Sequence, residues 1–295
     1  MMTATGHPVH QDLTVVVPTI GRPVLSTCLS ALADGTTWPA QIIVVDQSAS
    51  SAVADRVARL RDRGMDAVHV PSRQKGAAAA RNRGLERAGT AFVAAVDDDC
   101  CIAPDWSDRL MERLRAHAGA IISGRVDPEG EQPLPSTITA VAPTVHTRPL
   151  RDRDPLFTGN MGTELATFKR VGPFDESPSL AGAEDNDWGY RALQLGVPIV
   201  YAPEVAVTHL DWRDTRELAV VYRRYARAQG GFYGKHLRRR DLFIAGRAVR
   251  DLLRGPWLLV RAAATRNGEL ALLGQAEVRG ILPGIIAGLR SAGRP

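Results

Sequence analysis

Four short apolar runs in the first hundred residues alternate with stretches of helical character. The runs are LTVVVP at 13–18, QIIVVDQS at 41–48, AVHV at 67–70 and AFVAAV at 91–96. Between them the sequence predicts helices over 24–33, 52–63 and 76–88. Strands that alternate with helices predict an α/β fold with a doubly wound, mostly parallel sheet.

Polar residues stand at the ends of three of these runs. Thr19 follows the first run, Asp46 lies near the end of the second, and Asp97, Asp98 and Asp99 follow the fourth. In open α/β sheets, ligands bind in the crevice beyond the carboxyl ends of the strands. The coincidence of polar residues at these ends therefore predicts a ligand site there.

The three consecutive carboxylates at 97–99 indicate a particular ligand chemistry. Adjacent carboxylates repel one another and need a counter-charge. A divalent cation such as Mg²⁺ or Mn²⁺ supplies that charge and can bridge the diphosphate of a substrate. An acidic turn in contact with solvent is the structural alternative, because two acids at this spacing also arise by chance.

A second acidic group, Glu184-Asp185-Asn186-Asp187, precedes the helical run GYRALQLG. Acids in the first turn of a helix satisfy its dipole and its free N–H groups, which is one explanation. The other is chemical, because an acid near a metal ion and a cleft can act as a general base. The residues alone leave both explanations open.

Basic residues surround the predicted helix start at Gly76. Lys75, Arg81 and Arg83 suit a phosphate there, or are ordinary surface charges. The chain has neither a GxxxxGKS/T nor a GxGxxG motif, which argues against P-loop and dinucleotide-binding folds. His209 closes the apolar run EVAVTHL, where a lone histidine is usually a core or surface residue unless a carboxylate metal site is present.

Seven segments of the chain occur in the order found in one enzyme family. They are VVVPTIGRP, IIVVDQS, GAAAARNRGLERAGTAFVAAVDDDC, FTGNMG, VGPFDES, GAEDNDWGYRALQLG and PEVAVTHLDWR. Together they resemble the family-two glycosyltransferases of the GT-A fold, over about residues 13–215. The resemblance implies a metal-dependent, inverting glycosyltransferase with a nucleotide-sugar donor. It also implies a nucleotide-binding half at 1–115, an acceptor and catalytic half at 116–215, and a basic helical extension at 216–295.

The resemblance assigns the nucleotide pocket residue by residue. Pro18, Thr19 and Arg22 would line the pocket. Asp46 would accept a hydrogen bond from a ring N–H of the base, which suits uracil or thymine, although guanine also carries such a group. Arg81 would contact the nucleotide or its phosphates.

The resemblance also implies a metal centre and a base. Asp97 would lie near the ribose, Asp98 is the variable middle position, and Asp99 would bind Mn²⁺ or Mg²⁺. The remaining implied residues are His209 at the metal, Gly159 and Asn160 near the donor sugar, Trp212 and Arg213 over the diphosphate, and the catalytic pair Glu184 and Asp185. Asp185 would take a proton from the acceptor hydroxyl, whose oxygen then displaces the nucleoside diphosphate with inversion.

The C-terminal part differs in charge from the rest of the chain. Residues 223–295 contain fifteen Lys or Arg and four Asp or Glu, although the whole chain carries a formal charge of only +5. Three explanations fit residues 222–295: an interfacial helix on an anionic membrane, a lid or homodimer contact, and a solvated helical face. Nucleic-acid binding is not expected, because no known motif is present and the acidic remainder would repel phosphate.

Other activities share some of these features. A sugar nucleotidyltransferase has a similar sheet, but it needs a Gly-rich loop with Arg and Lys for which PTIGRP is a poor substitute. A DxDxT phosphatase needs Thr where Cys101 stands. An inactive nucleotide-sugar-binding module is the non-enzymatic alternative. The acceptor stays open among a lipid-linked glycan, a polysaccharide and a small molecule, in cell-envelope or secondary-metabolite biosynthesis.

The number of cysteines and the hydropathy of the chain indicate the cellular compartment of the protein. The three cysteines (Cys28, Cys100 and Cys101) include no CxxC pair and cannot form a disulfide framework, which favours a reducing cytoplasm. No apolar run approaches the roughly 18 residues of a membrane span, and the N-terminus lacks the apolar region of a signal peptide. We expect a cytoplasmic protein, with the inner face of the membrane as the place of any peripheral contact.

Overall fold

The structure is a computed structural model that describes residues 6–48, 50–130, 137–210 and 215–291. The chain divides into two compact units. The sheet unit comprises residues 1–149, 155–174 and 189–212, and the helical unit comprises 150–154, 175–188 and 213–295. The predicted boundary at residue 115 thus falls inside the sheet unit, and the helical unit takes in two short segments that precede the predicted extension.

The described part of the sheet unit forms one nine-stranded sheet. Its strands are β1 (Val9–Thr19), β2 (Trp38–Asp46), β3 (Ala67–Pro71), β4 (Phe92–Val96), β5 (Cys100–Ile102), β6 (Ile121–Pro128), β7 (Thr144–His146), β8 (Asn160–Glu164) and β9 (Ile199–His209). The strands lie in the order β3-β2-β1-β4-β8-β6-β9-β5, and β7 pairs with β9.

Strand directions divide this sheet into two halves. β3, β2, β1 and β4 are mutually parallel, and β6 is parallel to β9. The pairs that involve β5, β7 and β8 are antiparallel. The predicted α/β fold class is confirmed, and the mixed half is built from the stretch of sequence with the least regular pattern.

The central strands explain the unbroken apolar runs of the sequence. Residues 13–17 of β1 are buried, and so are residues 42–45 of β2. Parallel strands covered on both faces carry continuous apolar runs rather than alternating ones. Each fully buried Val, Ile or Leu side chain contributes roughly 1.5–3 kcal/mol relative to exposure.

Six helices accompany the strands through residue 194. They are α1 (Leu25–Ala33), α2 (Ala52–Asp62), α3 (Ala77–Leu85), α4 (Trp106–Ala116), α5 (Leu165–Val171) and α6 (Glu184–Gln194). The first three occupy the predicted helical stretches. α4 was not predicted, although the spacing of buried Trp106, Leu110 and Leu114 follows a helical period.

Two apolar runs of the sequence join in one strand near residue 203. The runs 198–203 and 204–210 form the single strand β9, which is parallel to β6. The register jumps from Ala202 to Ala206 between Gly124 and Arg125 on β6. This irregularity accommodates Pro203, because a proline is tolerated in a sheet mainly at edges and bulges.

The helical unit is built on three long helices. They are α7 (Thr215–Arg238), α8 (Leu242–Thr265) and α9 (Gly268–Arg290). The Asp241 side chain accepts a hydrogen bond from Ile244 N at 3.1 Å and so caps α8. α7 and α9 approach very closely, since a Cβ on Gly284 would lie 2.0 Å from the Arg227 carbonyl oxygen. Only glycine allows that backbone contact.

One of the described helices, α9, is long and apolar enough to cross a membrane, judged by length and composition alone. The sequence expectation of no such stretch therefore does not hold for residues 268–290. About 33% of its most apolar window is buried within the protein, and Gly280, Gly284 and Gly288 pack against α7.

Candidate functional site

The carboxyl ends of three parallel strands meet at one edge of the sheet. Thr19, the last residue of β1, pairs with Asp46, the last residue of β2, and Val16 pairs with Ala95 of β4. Pro18 pairs with Val45 and is buried one step inside that edge. The acidic turn at 97–99 follows β4 directly, so the polar residues predicted to meet at this edge do meet.

Two arginines and a threonine hold the acidic turn. Thr19 Oγ1 donates to Asp98 Oδ2 at 2.6 Å. Arg22 Nη1 donates to Asp98 Oδ1 at 2.8 Å and to Asp99 Oδ2 at 3.1 Å. Arg81 Nη2 donates to Asp97 Oδ1 at 2.6 Å. Arg22 and Arg81 therefore supply counter-charge to the three carboxylates, and charge repulsion alone does not require a metal ion.

Asp98 is the acid of the turn that points into the protein, and it is bound by Thr19 and Arg22. Burial raises the pKa of Asp98 from 3.8 to about 6, against the lowering effects of Arg22 and of the hydrogen bond from Thr19. The Asp97 side chain is 24% exposed, compared with 5% for Asp98. The middle acid thus contacts the protein, and Asp97 is more accessible to a ligand.

His209, the last residue of β9, and Asp99, the residue before β5, lie close together because β5 pairs with the end of β9. Cys100 is opposite His209, and Leu210 N donates to the Asp99 carbonyl oxygen at 2.8 Å. His209 Nε2 lies 3.8 Å from Asp99 Oδ1. Its Nδ1 is buried and has no hydrogen-bond partner among the described residues. The described residues contain no group of three or more His, Cys, Asp or Glu side chains able to hold a metal ion, so Asp99 and His209 form a pair rather than a closed site.

Asp46 is fixed by two partners. Its Oδ1 accepts from Ser48 N at 2.7 Å, and its Oδ2 contacts Nε2 of His69 at 2.9 Å. The sequence analysis missed His69, although a histidine inside the apolar run of β3 is a signal. Both Asp46 and His69 lie where their strands, β2 and β3, are parallel neighbours.

The loop before α3 is held by Gln47, which the sequence analysis also missed. Gln47 Nε2 donates to the carbonyl oxygens of Gln74 at 2.6 Å and Gly76 at 2.9 Å. Lys75 Nζ donates to the Gln47 carbonyl oxygen. Of the other basic residues predicted here, Arg81 points inward to Asp97 and Arg83 is exposed.

The side chain of Asn160 forms hydrogen bonds with other residues of the protein. It is fully buried, and its Nδ2 donates to the carbonyl oxygens of Arg125 at 2.9 Å and Val205 at 2.8 Å. Its Oδ1 accepts from Trp106 Nε1 at 2.8 Å. These bonds tie β8 to α4, β6 and β9. The position of Asn160 near the donor sugar stays a prediction.

Gly159 allows Asp97 to lie where it does. A Cβ at this position would be 2.6 Å from Asp97 Oδ2 and 2.6 Å from a ring carbon of Phe157. We expect Gly159→Ala to displace the Asp97 carboxylate and to weaken nucleotide binding by about tenfold or more, because a shift of about 1 Å in a binding group has effects of this size. Titration calorimetry with UDP and Mn²⁺ measures the change.

Gly89→Ala is the matched control for Gly159→Ala, because no heavy atom lies within 4 Å of a Cβ there. Equal affinities of the two variants would show that the space beside Asp97 does not matter.

The start of α6 carries the second acidic group, which lies in the helical unit. Glu184 is buried, and its Oε2 accepts from Gly182 N at 2.7 Å. Asp185 is partly exposed, and its Oδ1 accepts from Asn186 N at 2.8 Å. Glu184 therefore binds the backbone just before α6, whereas Asp185 binds an N–H of its first turn, as the structural explanation expects. Asp185 is the more accessible of the two carboxylates.

A buried ionic cluster fixes this start of α6 to α7. Lys235 Nζ lies 2.7 Å from Asp187 Oδ1 and 2.8 Å from Asp175 Oδ2, and His236 Nε2 contacts the same Asp187 oxygen at 2.9 Å. The sequence analysis missed this cluster, because Lys235 and His236 stand in a run of basic residues. The remaining predicted residues, Trp212 and Arg213, lie outside the described residues.

Known proteins with the same features place this chain in a family. The family model described as glycosyl transferase family 2 matches residues 14–169, just over half of the chain. A pre-mycofactocin glycosyltransferase of Mycobacterium tuberculosis is 29% identical over 216 residues, which are 68% of this chain and 43% of that protein. The chain thus spans less than half the length of this relative.

Two solved structures have the same fold. TarS of S. aureus in complex with UDP-GlcNAc has a TM-score of 0.57 at 16% identity, over 94% of this chain and 90% of that one. The mannosyltransferase PcManGT of Pyrobaculum calidifontis, in complex with GDP-Man and Mn²⁺, has a TM-score of 0.63 at 14% identity, over 98% and 89%. These likenesses concern the fold alone, which is the GT-A fold. With the family match over its N-terminal half, the chain belongs to glycosyl transferase family 2.

Proposed function

We propose that the protein is a metal-dependent, inverting glycosyltransferase that moves a sugar from a nucleoside-diphosphate donor to an acceptor hydroxyl. One observation carries the proposal: Thr19, Arg22 and the acidic turn at 97–99 form one hydrogen-bonded group at the carboxyl ends of β1 and β4. Sheets of this class bind ligands at such ends. Family membership supports glycosyl transfer as the reaction.

For the donor, we propose a nucleotide sugar, with UDP or dTDP as the favoured nucleotide. TarS and PcManGT were solved with UDP-GlcNAc and GDP-Man, which supports the donor class. Asp46 would accept the ring N–H of the base. Its two oxygens are held by Ser48 and His69, and each carboxylate oxygen has a second lone pair for a ligand.

Asp99 and His209 fit the protein's share of a Mn²⁺ or Mg²⁺ site. Their facing atoms, Oδ1 and Nε2, are 3.8 Å apart, while Arg22 holds the other oxygen of Asp99. Such ions often take only one or two protein ligands beside substrate phosphates, so a carboxylate and an imidazole are a sufficient share for the protein. PcManGT was solved with Mn²⁺. When bound, the cation would supply neutralisation of the charge that develops on the leaving diphosphate.

The protein's own residues would act on both substrates. Arg22 and Arg81 are cations already oriented at the acidic turn, and they would bind the anionic donor by charge-assisted hydrogen bonds. Asp185 would take the proton of the acceptor hydroxyl. The acceptor oxygen then bonds to the anomeric carbon, the bond to the diphosphate breaks, and a single displacement inverts the configuration.

The site is tested by thermal shift with UDP, dTDP, GDP, CDP and ADP, each with and without Mn²⁺. We expect one nucleotide to raise the melting temperature of the wild type only with Mn²⁺, because a ligand at about 100 times its Kd adds about 2.7 kcal/mol. In Asp99→Ala and Asp99→Asn that shift should vanish. Asp34→Asn, an exposed acid paired with Arg63, is the control and should keep it.

The reaction is tested by product analysis with nucleotide sugars that carry the nucleotide identified by the thermal shift. Release of the nucleoside diphosphate is the expected result. Release of pyrophosphate from sugar phosphate and nucleoside triphosphate would instead indicate a nucleotidyltransferase, and binding without any product would indicate an inactive module. A shift that persists in both Asp99 variants would place the metal elsewhere.

A further inference from the structure

Exposed apolar side chains are concentrated in the helical unit. Sixteen large hydrophobic side chains are exposed among the described residues, and twelve of them lie on α7, α8 and α9. Five on α8 form what we call the α8 stripe, at Leu242, Val249, Leu253, Trp257 and Val260. Each of the five is between 55% and 85% exposed. Their spacings of seven, four, four and three residues place them on one side of the helix.

The orientation of α8 is fixed from its other side. Arg247 and Asp251 are buried there. Arg247 makes a two-pronged ion pair with Asp154, at 2.7 and 2.6 Å, and Asp251 accepts from Tyr233 Oη at 2.5 Å. Turning the α8 stripe inward would break both of these contacts, and the apolar side chains of the stripe could not replace them. The stripe therefore stays on the surface of the helical unit.

Arginines line one flank of the α8 stripe, and the two acids that pair with them, Asp251 and Glu277, are far less exposed than the arginines. Arg250, Arg254 and Arg261 follow its members by one residue or by four, so they line one flank of it. The only acid between residues 242 and 265 is Asp251, which is buried. Arg254 pairs with Glu277 of α9 at 3.2 Å, and Arg261 lies over the Trp257 ring at 5.3 Å. An apolar stripe with cations along its edge complements a surface that is apolar inside and anionic at its rim.

We propose that the α8 stripe docks this protein on the surface of a membrane that contains anionic lipids. The apolar side chains enter the boundary between headgroups and acyl chains, and the arginines stay at headgroup level. Fifteen basic residues against four acidic ones over 223–295 add attraction to an anionic leaflet. A second copy of the chain is a poorer occupant, because two such faces would bring arginines of the same sign together.

Vesicle flotation tests the docking, with vesicles of equal parts phosphatidylcholine and phosphatidylglycerol and vesicles of phosphatidylcholine alone. We expect the protein to float with the anionic vesicles and far less with the neutral ones. Leu253→Glu and Trp257→Glu should each lower the binding constant about tenfold or more, because each removes a large apolar side chain from the bound face. Both positions are exposed, so neither change disturbs the fold.

Leu195→Glu is the matched control, because Leu195 is an exposed leucine of the sheet unit. It should float like the wild type. Equal losses in Leu195→Glu and Leu253→Glu, or no flotation of the wild type, would overturn the proposal. So would a wild-type dimer in analytical ultracentrifugation that Leu253→Glu converts to a monomer, since the stripe would then be a self-interface. The result does not depend on the donor, so it stands apart from the test of glycosyl transfer.

Discussion

Asp185→Asn is expected to lower turnover by about 100-fold or more while nucleotide binding stays close to that of the wild type. The amide has the size of the carboxylate, and its oxygen still accepts the hydrogen bond from Asn186 N that the structure shows at 2.8 Å. An amide cannot take the proton of an acceptor hydroxyl, and general-base catalysis contributes about 10²–10⁴-fold. Loss of rate without loss of binding is the signature of a group that acts only on the acceptor.

The rate is measured as release of nucleoside diphosphate from the nucleotide sugar that the product analysis identifies, with water in place of the acceptor hydroxyl. Glu184→Gln is the matched comparison, because its amide oxygen still accepts from Gly182 N as the buried carboxylate does at 2.7 Å. We expect Glu184→Gln to retain most of the activity. A large loss in Glu184→Gln with none in Asp185→Asn would exchange the roles of the two acids.

The positions of the strand ends could be predicted from the sequence because they depend on local patterns. An apolar run with a polar residue at or just after its end predicts a buried strand whose carboxyl end carries that residue, and β1, β2 and β4 follow that rule. Thr19, Asp46 and Asp97–Asp99 meet because parallel strands place their carboxyl ends at one edge.

The partners of these residues could not be predicted in the same way, because they come from distant parts of the chain. By the family resemblance Asp98 is the variable middle residue of the acidic turn, but Thr19 and Arg22, nearly eighty residues earlier, both donate hydrogen bonds to it. Asn160 was predicted to lie near the donor sugar, but nothing in the sequence indicated its hydrogen bonds with Trp106, Arg125 and Val205. The sequence pattern shows that a side chain is polar, but it does not show which groups form hydrogen bonds with that side chain.

Lys235 is another residue whose partners could not be predicted from the sequence. In the sequence it stands in GKHLRRR, which has the character of a solvated basic face. In the fold it is 6% exposed and lies between Asp175 and Asp187. One signal was present: Ala228, Gly231 and Lys235 follow a helical period, so the side of α7 that carries two small buried residues also carries the lysine.

Lys235→Met is expected to lower the free energy of unfolding by about 3 to 5 kcal/mol, because it leaves buried carboxylates without their cation. His236 remains 2.9 Å from Asp187 and can neutralise it when protonated, so Asp175 bears most of the loss. Chemical denaturation measures the difference. Lys169→Met, at an exposed lysine of α5, is the control and should change stability by no more than about 0.5 kcal/mol.

The loss in Lys235→Met should also depend on pH. Burial raises the pKa of Asp175, but the hydrogen bonds from Lys235 and Ser177 outweigh burial, so this pKa lies below its ordinary value of 3.8. A depressed carboxyl pKa contributes stability above the unfolded pKa, and that contribution is lost as the pH falls through the folded pKa. Without Lys235 the pKa of Asp175 rises instead. Protonation of Asp175 then removes an unpaired buried charge from the variant and stabilises it, whereas in the wild type it removes the ion pair with Lys235 and destabilises the fold. The gap between the two free energies of unfolding should therefore narrow as the pH falls from about 5 to about 3, around the ordinary carboxyl pKa of 3.8.

A second substitution separates the lost ion pair from the lost packing of the lysine stem. If unpaired charge is the cause, Asp175→Asn in the Lys235→Met background should recover part of the stability, although the same change alone in the wild type destabilises. Such a cycle gives a coupling energy of about 0.5 to 3 kcal/mol for residues in direct contact. The effects of the two substitutions would be additive, and the loss independent of pH, if Lys235 stabilised the helical unit only through its methylene groups. In that case the ion pairs of Lys235 would contribute nothing to stability.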